Sequence, residues 1–264
     1  MYARPSAPRP IGGVLDDAIS LYRHSFSRVW PLTAAAAIVM AIPGVFLGLQ
    51  LMHARSGNPL AALAIMKTPT YWLTYGIIGL IYLAVNGAVI STLNAFASGR
   101  QVAAGEALAS GVAFVPRLFG ASLLVGLIVM IGVILLILPG IYWWGVYQLT
   151  IIVLIVEQSG VTQSMSTSRR LIKGYWWRSA TIITIAFIIL MVLSLIGGVA
   201  NGLAVSVLGF GSFGAVIDQS VIGAAVNVFL FPLIPCFLLS MYYDLKLRHE
   251  GGDLAARVDA LAVQ

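Results

Sequence analysis

Two stretches of this chain carry no ionisable acid or base. Residues 118–156, and again 179–217, contain no Asp, Glu, Lys, Arg or His. A helix crosses about 30 Å of hydrocarbon with about 20 residues, at about 1.5 Å each. Each run is therefore too long for one crossing. The rest of the chain follows suit, with 60% hydrophobic and only 9% charged residues. Soluble domains hold about 45–50% apolar and about 25% charged residues. A water-soluble fold has too little interior for this much apolar side chain, so lipid must solvate the excess. The expected fold class is all-α: a polytopic transmembrane helix bundle with cytoplasmic interfacial helices.

The apolar runs divide into six expected spans, at 29–52, 72–96, 118–138, 141–156, 179–199 and 220–243. Pro31 falls in the first turn of the first span, where a missing N–H costs little. Pro139-Gly140 separates the third from the fourth as a proline stop and a glycine turn. Pro232 and Pro235 predict a kink in the sixth. The first apolar stretch follows a polar lead of 28 residues. It is also longer than the roughly 7–15-residue core of a secretion signal, so it reads as a retained span. The domain reading is a cytoplasmic tail with an amphipathic helix over 1–28, a membrane domain over 29–243, and a cytoplasmic tail over 244–264.

Positive charge orients these spans. Thirteen Lys and Arg fall on one set of alternate segments, among them Arg4, Arg100, Arg169 and Lys246, and two, Arg55 and Lys67, on the other. Cytoplasmic loops carry the excess of Lys and Arg, so both termini are expected in the cytoplasm. Trp30, Trp72, Trp143, Trp144, Trp176 and Trp177 all fall at expected span ends, where amphipathic rings settle at the headgroup level. The net charge of +6 is accounted for by these loops and gives no reason to expect nucleic acid.

Each pair of spans is preceded by a similar segment, which suggests three copies of a surface helix followed by a transmembrane hairpin. Asp17-Ala18-Ile19 leads to Arg28 and Trp30; Glu106-Ala107-Leu108 leads to Arg117 and Phe119. Gln163-Ser164-Met165 leads, one helical turn later, to Trp177-Arg178. In the first, Ile11, Leu15, Ala18, Ile19, Tyr22 and Phe26 share a helical face opposite Asp16, Asp17, Ser20 and Arg23. In the third, Val161, Met165, Ile172 and Trp176 share a face, with Gln163, Thr167, Arg169, Arg170 and Lys173 pointing away. Such helices either lie in the interface, basic side toward anionic headgroups, or cover the ends of the bundle.

Few motifs carry chemistry. Residues 209–214 match G-x-G-x-x-G, but the nucleotide site needs a strand before and a helix after it; between two spans this is a loop. Gly44/Gly48 and Gly198/Gly202, with Gly76 and Gly79, have the small-residue spacing that lets helices approach closely, and packing within the bundle is the preferred reading. Asn86, Asn94, Gln148 and Asn227 lie in spans, where amides bond across helices. Glu157, Asp218 and Asp244 fall at span ends, so no carboxylate marks a mid-membrane proton path. His24 and His249 are expected on the opposite side from His53, so no metal site is expected. Cys236 alone forms no internal disulfide and reads as a small buried residue. No catalytic, cofactor or metal residues are assigned.

Several stretches resemble known membrane families. Gly99-Arg100-Gln101-Val102, Val115-Pro116-Arg117-Leu118-Phe119, Leu138-Pro139-Gly140-Ile141-Tyr142, 164–171 and Trp176-Trp177-Arg178 resemble the YciC-type inner-membrane proteins of bacteria. The ending Tyr242-Tyr243-Asp244-Leu245-Lys246-Leu247-Arg248-His249-Glu250-Gly251-Gly252-Asp253-Leu254 is similar to the end of the membrane domain attached to some glycerophosphodiester phosphodiesterases, and 11–16 with 21–23 fit that group. The resemblance implies a bacterial inner-membrane location and a link to phospholipid metabolism. In those phosphodiesterases catalysis belongs to a separate soluble barrel, so hydrolysis is not carried over. The expectation is a non-enzymatic module that binds membrane lipid, anionic by preference, or a membrane or cytoplasmic protein partner. Arg169, Arg170, Lys173 and Arg178 are the candidate headgroup contacts. The alternative is a transporter or channel for a neutral or amphiphilic solute, supported by helix-breaking Pro43-Gly44, Pro232 and Pro235.

Overall fold

A computed structural model describes residues 2, 4–53, 67–208 and 212–262 of the chain. Every regular element among them is an α-helix: α1 Ile11–His53, α2 Pro69–Ala97, α3 Ala104–Leu135, α4 Ile137–Tyr147, α5 Thr150–Val156, α6 Val161–Ile172, α7 Trp176–Leu208, α8 Ser212–Leu230 and α9 Leu233–Ala262. Six segments are long and apolar enough to cross a bilayer: Ile11–Pro43, Pro69–Ala97, Ala104–Leu135, Ile137–Val156, Trp176–Leu203 and Val221–Gly251. The chain is thus a multi-pass membrane protein built as an all-α bundle. Aliphatic side chains that a soluble fold would hide face outward. Ile134, Leu135, Leu136, Ile137 and Leu138, at the α3–α4 turn, are 66–78% exposed, which only lipid makes inexpensive.

The first span and the segment before it are one helix. Val14, Ala18, Leu21, Ser25, Val29, Leu32 and Ala36 are all buried, at spacings of three or four. That unbroken helical stripe carries the packing face straight through the expected boundary at 28/29. Pro31 therefore sits inside α1 rather than in a first turn. The buried face is also rotated from the one expected: Ile19 is 40% exposed. Likewise α3 absorbs the second surface segment, with Pro116 in its interior.

Only the third segment stands alone as a surface helix, α6. Gly174 explains why: its φ is +84°, a left-handed conformation that stops the helix and that glycine adopts without a Cβ penalty. Its buried face consists of Ser164, Thr167, Ser168, Leu171 and Ile172, so Thr167 points inward, not away. Two of its buried hydroxyls are satisfied by backbone carbonyls, one of them across to α4. Ser168 Oγ donates to the Val146 carbonyl at 2.8 Å, and Ser164 Oγ to that of Gly160 at 2.7 Å.

The α3–α4 turn falls at Leu136, which is extended (φ −165°, ψ 140°), not at Pro139-Gly140. Pro139 occupies the first turn of α4, where its lost N–H is harmless. Gly140 is there for proximity, since a Cβ on Gly132 would lie 2.8 Å from the Gly140 Cα. Of the glycine spacings singled out in the sequence, the Gly44/Gly48 pair lies outside the residues whose surroundings are described, and the others are not at close contacts. A Cβ on Gly76, Gly79, Gly198 or Gly202 would meet nothing within 4 Å among the described residues. The tight crossing is instead between α2 and α3, where a Cβ on Gly111 would collide with the Ala84 carbonyl and lie 2.8 Å from Ala88 N. Arg55 and the 209–211 part of G-x-G-x-x-G lie outside the described residues; Ser212 opens α8.

Two crossings are interrupted. Gln148 and Leu149 separate α4 from α5, and Phe231-Pro232 separates α8 from α9. The second break is the expected kink. Tyr22 of α1 tends it, its hydroxyl donating to the Phe229 carbonyl (3.1 Å) in the last turn of α8, where carbonyls lack helical donors.

Candidate functional site

Three places in the bundle gather polar side chains. The first is a charged clasp. Helix α9 does not end at Tyr243 but runs on to Ala262, so Asp244 lies within it, 3% exposed. Its Oδ1 accepts the Arg9 backbone N–H at 2.8 Å; its Oδ2 accepts from Arg178 Nη2 at 2.9 Å and from Arg248 Nε at 3.0 Å. Both guanidinium groups also donate to the Arg9 carbonyl. One carboxylate thereby ties the N-terminal tail, the start of α7 and α9 together.

The neighbouring residues of α9 extend the clasp. Tyr243 OH donates to Asn94 Oδ1 of α2 at 2.7 Å, with the Arg4 guanidinium 4.1 Å over its ring. Tyr242 OH (2.8 Å) and Lys246 Nζ (3.1 Å) both donate to Glu157 Oε1 at the end of α5. His249 Nε2 lies 3.1 Å from the Leu171 carbonyl of α6 and its ring meets Tyr175 edge-on. Burial pushes the Tyr2 phenol of the tail above its ordinary range, with smaller contributions from Tyr243 and Asp17. The Tyr242–His249 part of the ending that stood out as a sequence signature makes, in three dimensions, a set of contacts inside the chain. All these partners come from the ends expected on one side, which agrees with an even number of crossings.

The second place is the outer edge of α6. Arg169, Arg170 and Lys173 are exposed and none forms an ion pair with a described residue. Arg169 borders a crevice of about 470 Å³ lined by Ile128, Ile131, Tyr142, Trp143, Val146 and Tyr147. A guanidinium thus sits beside an aromatic and aliphatic slot. Arg178 stands apart from the other three: its side chain is 17% exposed and bound to Asp244 at 2.9 Å. Sequence could not separate it from them, because a basic residue before a span looks the same whether its partner is lipid or a carboxylate 66 positions away.

The third place is inside the bundle. Asn86 of α2, Gln148 at the α4–α5 break and Asn227 of α8 line one cavity of about 650 Å³. Asn94, the remaining amide of the set, belongs to the clasp. Ser122 and Gln148 also line an adjoining cavity of about 420 Å³, with Thr150. Amide character was visible in the sequence; that three of four amides meet was not. Among the described residues no group of three His, Cys, Asp or Glu could hold a metal ion. Cys236 is fully buried. No family model, curated protein or solved structure matches the chain.

Proposed function

We propose that this protein is a non-enzymatic membrane module that holds an anionic phospholipid at the α6 edge, on the cytoplasmic side of a bacterial inner membrane. One observation carries the reading: Arg169 borders an apolar, aromatic crevice, and the nearby Arg170 and Lys173 are exposed, with no ion pair among the described residues. Cations next to a greasy slot match an amphiphile with an acidic head and an acyl chain. The excess of Lys and Arg on that side supports the cytoplasmic orientation of both termini. The resemblance to YciC-type proteins and to phosphodiesterase membrane domains supports a role alongside phospholipid metabolism.

Native mass spectrometry of the purified protein tests this, wild type beside the Arg169→Ala/Arg170→Ala/Lys173→Ala variant, with phosphatidylglycerol as the added lipid. Each basic residue near an anionic surface contributes about 1 kcal/mol, so the triple variant should bind it roughly a hundredfold more weakly. Equal retention by both proteins refutes the site. Arg178→Ala serves as control, since its partner is Asp244. A second reading, a transporter or channel for a neutral or amphiphilic solute, draws on the two interrupted crossings beside one cavity. Solute uptake into protein-loaded vesicles, absent from empty ones, would favour it.

A further inference from the structure

We infer that the cavity at the α4–α5 break is a binding site for an uncharged, hydroxyl-bearing, single-chain amphiphile, entered sideways from the lipid. The proposal is separate from the α6 edge and stands on different residues.

Both amide atoms of Gln148 are buried, and neither has a hydrogen-bond partner; Thr150 Oγ1 is in the same condition. Most buried side-chain polar groups in native proteins are hydrogen-bonded, and at Gln148 a donor and an acceptor are open to a ligand that reaches the cavity. Gln148 lines both adjoining cavities, so its donor and its acceptor are available to one small polar head. Asn86 contributes from α2. Asn227 sits nearer the outside; its Nδ2 donates to the Gly223 carbonyl at 2.9 Å, and no described residue donates to its Oδ1.

Charge and shape then select the occupant. Neither lining contains Asp, Glu, Lys, Arg or His, so a charged group would enter a low-dielectric space with no counter-ion, at prohibitive cost. Apart from Ser122 and Ser194, the remaining wall is aliphatic and aromatic, including Phe187 and Met191 of α7, which are 48% and 66% exposed. Those two side chains belong at once to the wall and to the outer surface of the bundle, which makes α7 the rim through which an acyl chain passes. A volume of about 650 Å³ lies within the span of small-ligand sites, about 300–1,000 Å³. An uncharged head that both donates and accepts, on a single chain, meets all three conditions. A hydroxyl is the simplest such group, and 1-monooleoylglycerol is a ready probe.

The test is photo-crosslinking of the full chain in detergent with a diazirine-bearing 1-monooleoylglycerol, the labelled peptides being mapped and unlabelled 1-monooleoylglycerol used as competitor. Labelling is expected to concentrate on the cavity wall, around Met191 and Leu238. Gln148→Leu, close in volume but unable to hydrogen-bond, should weaken competition roughly tenfold, the equivalent of one lost hydrogen bond to a buried amide. If that variant does not fold, Asn227→Leu near the rim reports instead. Labelling spread evenly over the lipid-facing surface, as a diazirine hydrocarbon of equal length would give, overturns the proposal. So does unchanged competition in a folded Gln148→Leu. The Arg169→Ala/Arg170→Ala/Lys173→Ala protein should label as wild type does; loss of labelling there would move the amphiphile to α6 and overturn the assignment.

Discussion

Replacing Asp244 by Asn is the most informative single change in this bundle. The side chain is 4% exposed and its Oδ2 takes three N–H donors, two from Arg178 and one from Arg248. Asn can keep the Oδ1 contact with Arg9 N–H, but its amide nitrogen then faces three donors with donors of its own. Breaking a buried ion pair by removing one partner costs about 3–5 kcal/mol, because the other charge is left without compensation. Here the two guanidinium side chains are 17% and 23% exposed, so water recovers part of that loss. The lower end, about 3 kcal/mol, is the expected value, at about 1 kcal/mol for each charged hydrogen bond lost after discounting for exposure. The assay is SDS-induced unfolding in mixed micelles, run on Asp244→Asn, Arg178→Gln and the double variant. The cycle should show a coupling of about 1–2 kcal/mol, since the second change removes the charge that the first left unpaired. A loss below about 1 kcal/mol with additive single effects would refute the reasoning, because that is how an exposed pair behaves.

Three further outcomes follow from the packing and the charge distribution. Gly111→Ala pushes a methyl into the Ala84 carbonyl and the Ala88 backbone; overpacking against backbone should cost at least about 2 kcal/mol in the same assay, and a neutral result would mean that α2 and α3 do not cross there. Gly174→Ala forces a side chain into φ +84° and should cost about 1–2 kcal/mol, whereas Gly160→Ala, with open space around it, should be near neutral. A fluorescent protein fused to the C-terminus, which matures only in the cytoplasm, should fluoresce in bacteria, and an alkaline phosphatase fused there should stay inactive; the reverse pattern would overturn the orientation read from Lys and Arg.

The six crossings were legible because a bilayer imposes its requirement residue by residue. Each span must be apolar over a fixed length, and a charge-free run such as 118–156 states this without any knowledge of neighbours. Span ends were less legible, because helices do not stop at the membrane surface. The buried stripe from Val14 to Ala36 continues α1 through Arg28, and the sequence of that stretch reads as both an amphipathic tail and an apolar span. The prolines at the first two segments, Pro31 and Pro116, did not break their helices, whereas Gly174, not singled out in the sequence, ends the third segment as the separate helix α6.

The sequence by itself determined that this chain is a helical membrane protein with six crossings and a strongly basic side, because hydrophobicity and charge act through lipid and solvent, which meet every residue alike. Only the tertiary structure decided which polar residues work together. Arg178 and Arg169 are chemically the same side chain nine positions apart, yet one is bound to Asp244 and the other borders an open crevice. Asn86, Gln148 and Asn227 converge on one cavity while Asn94 is held by Tyr243. The physical reason is range: a hydrogen bond or an ion pair needs partners within about 3 Å, and the helices that bring those partners together are far apart along the chain.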